Sequence, residues 1–274
     1  MRPAPHAFFL PAESGQRLCV YHAPAAGAVS GAMVCVHPWA EEMNKSRRML
    51  ALQARALAAA GWAVLQIDLH GCGDSSGDFG EASWSGWIRD VDLAADWLQA
   101  RHDAALWFWG LRAGCLLAVQ AAAQRGADSR FLFWQPVVAG RAALQQFLRL
   151  KAAADLQQAE AKGGLRRLRD ELSAGHRVEV AGYALSPALA LGLEQAALQA
   201  PAQPARALWL ELSTREDAAL LPASADCVRD WRAAGHVVDC AVVPGPAFWQ
   251  TQEIEDAPAL ITATLAALRK PVAP

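Results

Sequence analysis

The stretch Leu106–Gln124, LWFWGLRAGCLLAVQAAAQ, changes character once along its length. Its first residues are apolar and aromatic, as in a strand covered on both faces. From Ala113 onward it is rich in Ala and Leu, as in a packed helix. Between the two parts stand Gly110 and Gly114. Glycine at those places permits a sharp turn and a close approach of helix to strand. The reading is therefore strand, tight turn, helix, with Arg112 at the apex. An ordinary β–α turn with two glycines would look the same, so the rest of the chain has to decide.

Working outward, apolar strand-like runs fall at 7–10, 17–22, 31–37, 63–69, 105–110, 130–135, 206–212 and 237–243. Helical periodicity lies between them near 46–60, 84–101, 113–125, 224–234 and 256–268. Gly61 and Gly126 stand where helix stops belong. This alternation implies right-handed βαβ units and one mostly parallel eight-stranded sheet with helices on both faces. The first two runs, with Gly15 between them, read as an edge hairpin. Residues 139–200 break the alternation and are too long for a simple connection. They show helical spacing through Leu144, Phe147, Leu148 and Leu156, then Gly163 and Gly164, a basic helix LRRLRDEL, a short strand-like RVEV and a helix after Pro187. The expectation is one domain over 1–274, with 139–200 inserted as a helical cap over the carboxyl ends of the strands.

Composition narrows the function classes. Hydrophobic residues make up 54% and charged residues 19% of the 274, and the net charge is −2. A sizeable core is available, and nothing draws the chain to nucleic acid or an anionic membrane. No apolar run is long enough to span a bilayer. The start, MRPAPHAFFLPAESG, makes a poor signal peptide, so the expected compartment is the cytoplasm. The cysteines Cys19, Cys35, Cys72, Cys115, Cys227 and Cys240 form no CxxC pair and read as buried free thiols. No metal site and no cofactor are expected.

Four motifs bear on chemistry. Gly110-Leu111-Arg112-Ala113-Gly114 has the form of the G-x-S-x-G nucleophile elbow of α/β hydrolases, with arginine in the serine's place. A guanidinium stays protonated and cannot attack a carbonyl. The loop from Val36 to Arg48 occupies the position that supplies an oxyanion-hole N–H in that fold. Pro38 has no N–H, so a donor must come from Trp39 or Ala40. Glu41, Glu42, Arg47 and Arg48 read as a charged helix start, with one glutamate free to turn inward toward Arg112. The loop Asp68–Asp78 carries three glycines, but their spacing departs from the dinucleotide fingerprint and no helix starts until Ser83 can cap one. It fits the D-x-x-G-x-G-x-S loop of α/β hydrolases. Last comes an absence. The triad histidine of this fold follows the final strand, where the sequence reads Pro244-Gly245-Pro246-Ala247-Phe248-Trp249-Gln250. Glu216 or Asp217 could fill the acid position, with no histidine to orient. Trp39, Trp134 and Trp249 sit at carboxyl ends of strands, where open α/β sheets form their ligand crevice.

The phrases HPWAEEMNKSRRM, LQIDLHGCGDSSGDFG, WFWGLRAG, FLFWQPVVAG, QQFLRL, VAGYALSP and PGPAFWQTQEIEDAP resemble the exosortase A system-associated hydrolase 2 group of the α/β-hydrolase superfamily. The likeness runs from near residue 8 to about 268. It implies a gene neighbourhood of exopolysaccharide synthesis and of the exosortase that sorts PEP-CTERM proteins. It carries over no catalytic triad residue, because serine and histidine are both replaced.

Three functions follow. The first is a hydrolase-like protein that binds an anionic or acyl ligand at Arg112, with His37, Trp39, Ala113, Trp134, Phe248 and Trp249 around it. A helix N-terminus and a guanidinium together suit a carboxylate or phosphate. The second is an ester or thioester hydrolase that uses Glu41 or Glu42 as a base activating water, with Arg112 polarising the carbonyl; Asp217, at the acid position, is a further candidate catalytic residue. The third is a scaffold in which Arg112 forms only an internal ion pair. The partner in the first two is a small molecule; the sequence names no protein partner.

Overall fold

The computed structural model describes residues 4–25, 28–126, 129–157 and 164–269. The strands β1 (His6–Pro11), β2 (Gln16–His22), β3 (Gly31–Val36), β4 (Trp62–Ile67), β5 (Leu106–Leu111), β6 (Ser129–Trp134), β9 (Ala205–Ser213) and β10 (Val237–Pro244) form one sheet in the order β1-β2-β4-β3-β5-β6-β9-β10. Contacts β1·β2 and β2·β4 are antiparallel and the rest parallel. Each of the eight runs expected from the sequence is a strand of this sheet.

Helices cover both faces. On one side α2 (Trp84–Gln99), α3 (Gly114–Gln124) and α7 (Pro222–Ala233) bury Trp87, Leu116 and Trp231 against Phe108, Phe131 and Phe133. On the other, α1 (Ala40–Ala59) and α8 (Pro258–Arg269) bury Met49, Leu57 and Leu260 against Met33, Trp109 and Trp134. Burial of such side chains is worth about 1.5–3 kcal/mol each and is the main force holding the layers. Ser83 caps α2, accepting from the Gly86 N–H at 3.1 Å.

One boundary differs from the sequence reading. Helix α1 begins at Ala40, not near 46, because Ser46 does not cap; its hydroxyl donates back to the Glu42 carbonyl at 2.6 Å. The cysteines also divide. Cys19, Cys35, Cys72 and Cys115 are buried, but Cys240 is exposed and Cys227 half-buried. Cys240 lies on β10, an edge strand of the sheet.

Between β6 and β9 lie α4 (Gly140–Gln157), α5 (Gly164–Ser173), β7 (Val178–Val180), β8 (Tyr183–Leu185) and α6 (Pro187–Gln195). Gly163, read as part of the break between helices, lies outside the described residues. β7 and β8 are antiparallel and joined by Ala181 and Gly182, both at positive φ (50° and 82°), the geometry of a two-residue hairpin turn. The segment is fastened to the main body at several places. The Gly140 N–H donates to the Ala196 carbonyl at 2.8 Å and the Leu198 N–H to the Val138 carbonyl at 2.9 Å. The Ser186 hydroxyl donates to the Ala82 carbonyl. Tyr183 packs edge-on against Phe79 with ring centres 5.2 Å apart.

Candidate ligand site at the β5–α3 turn

Arg112 sits at the apex of the turn from β5 into α3 with φ +55°. A left-handed conformation costs a non-glycine residue about 1–2 kcal/mol, so the surroundings must impose it. They do so through backbone bonds: the Arg112 N–H donates to the Trp134 carbonyl at 3.0 Å, and its carbonyl accepts from Cys115 and Val137 at 3.1 and 3.3 Å. Both glycines are sterically required. A Cβ on Gly110 would stand 2.5 Å from the Cys115 Cα, and one on Gly114 would stand 2.5 Å from the Val36 carbonyl oxygen. Helix α3 therefore starts hard against β3 and β5, and the side chain at 112 is thrown toward the carboxyl edge of the sheet.

The Arg112 guanidinium meets Glu42 from the first turn of α1, Nε to Oε1 at 3.1 Å, with side chains 13% and 22% exposed. Its Nη2 has a longer contact with Gln146 Oε1 at 3.4 Å. The guanidinium carbon lies 5.4 Å from the centre of the Trp249 ring, a cation–π distance. These groups border a cavity of about 250 Å³. Trp39, Val137, Phe147, Leu150 and Trp249 give it an apolar wall, and Glu41, Lys45, Gln146 and Gln250 a polar one. Trp39 and Phe147 rings are 4.6 Å apart. Burial holds the Glu42 carboxyl above the usual carboxylate range, against the pull of the Arg112 charge and hydrogen bond.

The residues singled out in the sequence separate into groups. Arg112, Ala113, Trp39, Trp249, Glu41 and Glu42 meet around this cavity. Of the two glutamates, Glu42 is the one that reaches Arg112. Trp134 and Phe248 do not line it. Trp134 is fully buried in the layer under α8 and donates its Nε1–H to Thr264 Oγ1 at 3.0 Å; Phe248 packs on it with ring centres 6.3 Å apart. A strand's final residue points to either face, and position 134 falls on the α8 side. His37 is buried too and faces a different crevice, between α1 and β2; burial pulls its pKa down to about 4, leaving the ring neutral. Glu216 and Asp217 are exposed on the loop after β9, and neither pairs with Arg112 among the described residues. Glu211, on β9 itself, is buried and committed to Trp209 Nε1–H and the Leu221 N–H at 3.1 and 2.9 Å.

The sequence did not single out Lys45, Gln146 or Leu150. Leu150 shares a helical face with Ala143 and Phe147, a spacing that could have signalled it; Lys45 and Gln146 carry no such signal. The Asp68–Asp78 loop is structural: Ser75 Oγ donates to the Asp68 carbonyl at 2.6 Å and accepts from the Leu18 N–H at 2.9 Å, while Ser76 Oγ accepts from the Gln16 N–H at 3.0 Å. Among the described residues no group of His, Cys, Asp and Glu could hold a metal ion, and no helix is long and apolar enough to cross a membrane.

Residues 27–173 match the family described as serine aminopeptidase, S33, a span that begins before β3 and takes in the turn at Arg112. No curated protein matches the sequence significantly. Solved structures share the fold along nearly the whole chain. Ferulic-acid-bound Est1E from Butyrivibrio proteoclasticus is 14% identical, with TM-score 0.67 and 96% of each chain covered. The serine hydrolase XC6422 from Xanthomonas campestris, described as without a lid, is 17% identical, with TM-score 0.58 and 98% of this chain and 97% of its own covered. A thermostable carboxyl esterase from Bacillus coagulans, in complex with glycerol, is 13% identical, with TM-score 0.58 and 89% and 91% covered. Identities this low speak to the fold alone.

Proposed function

We propose that this chain, which belongs to the serine aminopeptidase S33 family and has the α/β-hydrolase fold, binds a small anionic or acyl-bearing ligand at Arg112 and does not hydrolyse it through a serine. The observation that carries this is the guanidinium itself. It stands in the strained position where the fold normally presents its nucleophile, at the rim of a cavity of about 250 Å³. Among the described residues one carboxylate meets it, at Nε, and its terminal nitrogens have only the 3.4 Å contact with Gln146. A planar fork with its end open suits a carboxylate or phosphate held by two parallel bonds.

The frame supports this reading. The N–H groups of Ala113 and Trp39, at the positions of oxyanion donors, make no backbone hydrogen bond among the described residues. Trp249 comes from the loop that would carry the triad histidine and lies against the guanidinium. The triad is thus degenerate at nucleophile and base, while the anion-favouring surroundings remain. Helix α4, contributing Gln146, Phe147 and Leu150, roofs the cavity in this reading as part of an inserted cap over 139–200 within a single domain. The resemblance to the exosortase A system-associated hydrolase 2 group adds a context, exopolysaccharide synthesis and PEP-CTERM sorting.

A second reading rests on Glu42. A carboxyl raised by burial and touching an arginine is the kind of group that can accept a proton from water, so a non-triad ester or thioester hydrolase is the alternative. One set of measurements separates the readings. Thermal unfolding is followed with short-chain and aromatic carboxylates, phosphate monoesters and acyl thioesters, for wild type and Arg112→Ala. Anion binding predicts stabilisation of about 2.7 kcal/mol at a hundredfold excess over Kd, lost in Arg112→Ala, with no turnover and no labelling by fluorophosphonates. Turnover that disappears in Glu42→Gln supports the hydrolase. No response to any ligand leaves only a scaffold.

A further inference from the structure

The apolar wall of the Arg112 cavity is made of rings that brace one another. Trp39, from the loop before α1, and Phe147, from α4, line the cavity with ring centres 4.6 Å apart. Two further rings support them without lining it: Phe79, in the short 3-10 turn Phe79–Glu81, and Tyr183, on β8. Phe79 lies 6.4 Å from Trp39 and 5.2 Å from Tyr183, and Tyr183 lies 6.4 Å from Phe147. The four rings close a circuit, with one member from each of four chain segments. Asn44 holds Tyr183 in turn, its Nδ2 donating to the hydroxyl at 3.2 Å. Rings at such distances attract beyond the area they bury. The wall is therefore held in shape before a ligand arrives, which lowers the cost of binding a rigid one. Trp249 adds a third lining ring, beside the guanidinium.

Reach, size and charge narrow what this wall accepts. Arg112 Nη1 makes no hydrogen bond among the described residues and is not sealed from solvent, the side chain being 13% exposed. A ligand in the cavity can therefore touch it. An apolar cavity of about 150 Å³ is enough for benzene. At about 250 Å³ this one suits one ring with a carboxylate on a short link. The charged residues of the lining are Glu41, Glu42, Lys45 and Arg112, two of each sign. The sum is zero, so a single negative charge at the guanidinium is tolerated. A phosphate monoester at mildly alkaline pH brings two, and the two glutamates stand against the second.

We propose that the ligand class of this cavity is a single-ring aromatic monocarboxylate with a short link between ring and acid. The proposal rests on the reading of Arg112 as an anion site. The carboxylate meets the terminal nitrogens of Arg112, and the ring lies against Trp39 and Phe147.

The test compares three probes by calorimetry at pH 8: 3-phenylpropanoate, hexanoate as an acid of similar hydrophobicity without a ring, and phenyl phosphate as a ring with a dianion. Saturable binding of 3-phenylpropanoate is expected, with hexanoate at least fivefold weaker and phenyl phosphate at least tenfold weaker. This ranking is read on the wild-type protein and does not depend on any variant folding. Phe147→Leu keeps the wall apolar and removes one ring; it is expected to narrow the preference over hexanoate at least twofold. Arg112→Ala is expected to abolish binding of both acids. Equal binding of hexanoate, phenyl phosphate binding as tightly as 3-phenylpropanoate, or an undiminished preference in Phe147→Leu overturns the aromatic class. If Arg112→Ala still abolishes binding in those cases, the anion site itself stands. If no probe binds, or Arg112→Ala binds as wild type does, the anion site falls and the aromatic class with it.

Discussion

Two arginine–carboxylate pairs use the same chemistry to different ends. Arg17 and Asp90 join β2 to α2 at 2.8 Å with side chains 4% and 5% exposed. They too border a cavity, of about 500 Å³, but the second Asp90 oxygen accepts the His70 N–H at 2.8 Å, and Arg17 Nη1 donates to the Ser14 carbonyl at 2.8 Å. Arg112 and Glu42 meet at 3.1 Å with side chains 13% and 22% exposed, beside a cavity. The first pair is almost wholly buried and its further hydrogen bonds go to backbone, which marks it as structural. The second has a charged fork with an open end. A buried ion pair therefore tells little about role until its remaining donors and acceptors are followed to their partners.

The strongest way to test that contrast is to break the closed pair. Arg17→Ala leaves Asp90 buried beside no counter-charge and is expected to cost about 3–5 kcal/mol in denaturant unfolding. A loss of about 1 kcal/mol or less would class it with surface pairs and dissolve the distinction. Next in size is the frame that presents Arg112. Gly114→Ala puts a Cβ 2.5 Å from the Val36 carbonyl oxygen and 2.7 Å from that of His37. Both are backbone, so a strand or a helix must move. The expected loss is about 1–3 kcal/mol, accompanied by weaker ligand response at Arg112. Wild-type stability in Gly114→Ala would mean that α3 is not pinned by this contact.

The turn conformation itself carries a smaller signal. Arg112→Gly and Arg112→Ala both delete the guanidinium, so their difference isolates the backbone. At φ +55° the glycine variant is expected to be more stable than the alanine variant by about 1 kcal/mol. Equal stabilities would show that the left-handed geometry relaxes once the arginine is gone.

How much of this could be read beforehand follows from which forces are local. The central strands are apolar throughout, and the glycine pair at 110 and 114 marks close packing, so the sheet and the turn were readable from sequence. The β7–β8 hairpin was half missed, because Ala181 at positive φ gives no turn signal of its own; only Gly182 does. Trp134 reads as ligand-facing from its strand-end position, and Phe248 from its place in the loop after the last strand. Which face a strand's last residue takes depends on register and on the Thr264 partner from α8, 130 residues away. Gln146 and Lys45 joined the cavity through tertiary packing alone. The position of Arg112 was local information; its surroundings were not.

The finest distinction between the two pairs is electrostatic, and it has a sign. Burial holds Glu42 above its ordinary value of 4.5 in the folded protein, and the attraction of Arg112 does not fully offset this. A carboxyl with a raised folded pKa contributes stability that is present below the unfolded value and is lost as pH rises through the folded one. The ionised Glu42 is thus a net cost at neutral pH. Glutamine has nearly the same shape, does not titrate, and still offers an oxygen to Arg112 Nε. Glu42→Gln is therefore expected to equal or slightly exceed wild type near neutral pH, by less than about 1 kcal/mol. That advantage should shrink as pH falls through the carboxylate range. Urea midpoints measured at a series of pH values for both proteins give the difference directly, with the other titrating groups cancelling. If Glu42→Gln is instead less stable at neutral pH and the gap closes on acidification, then attraction wins over burial. Arg112–Glu42 would then be a structural pair of the same kind as Arg17–Asp90, and its open fork would carry no binding role.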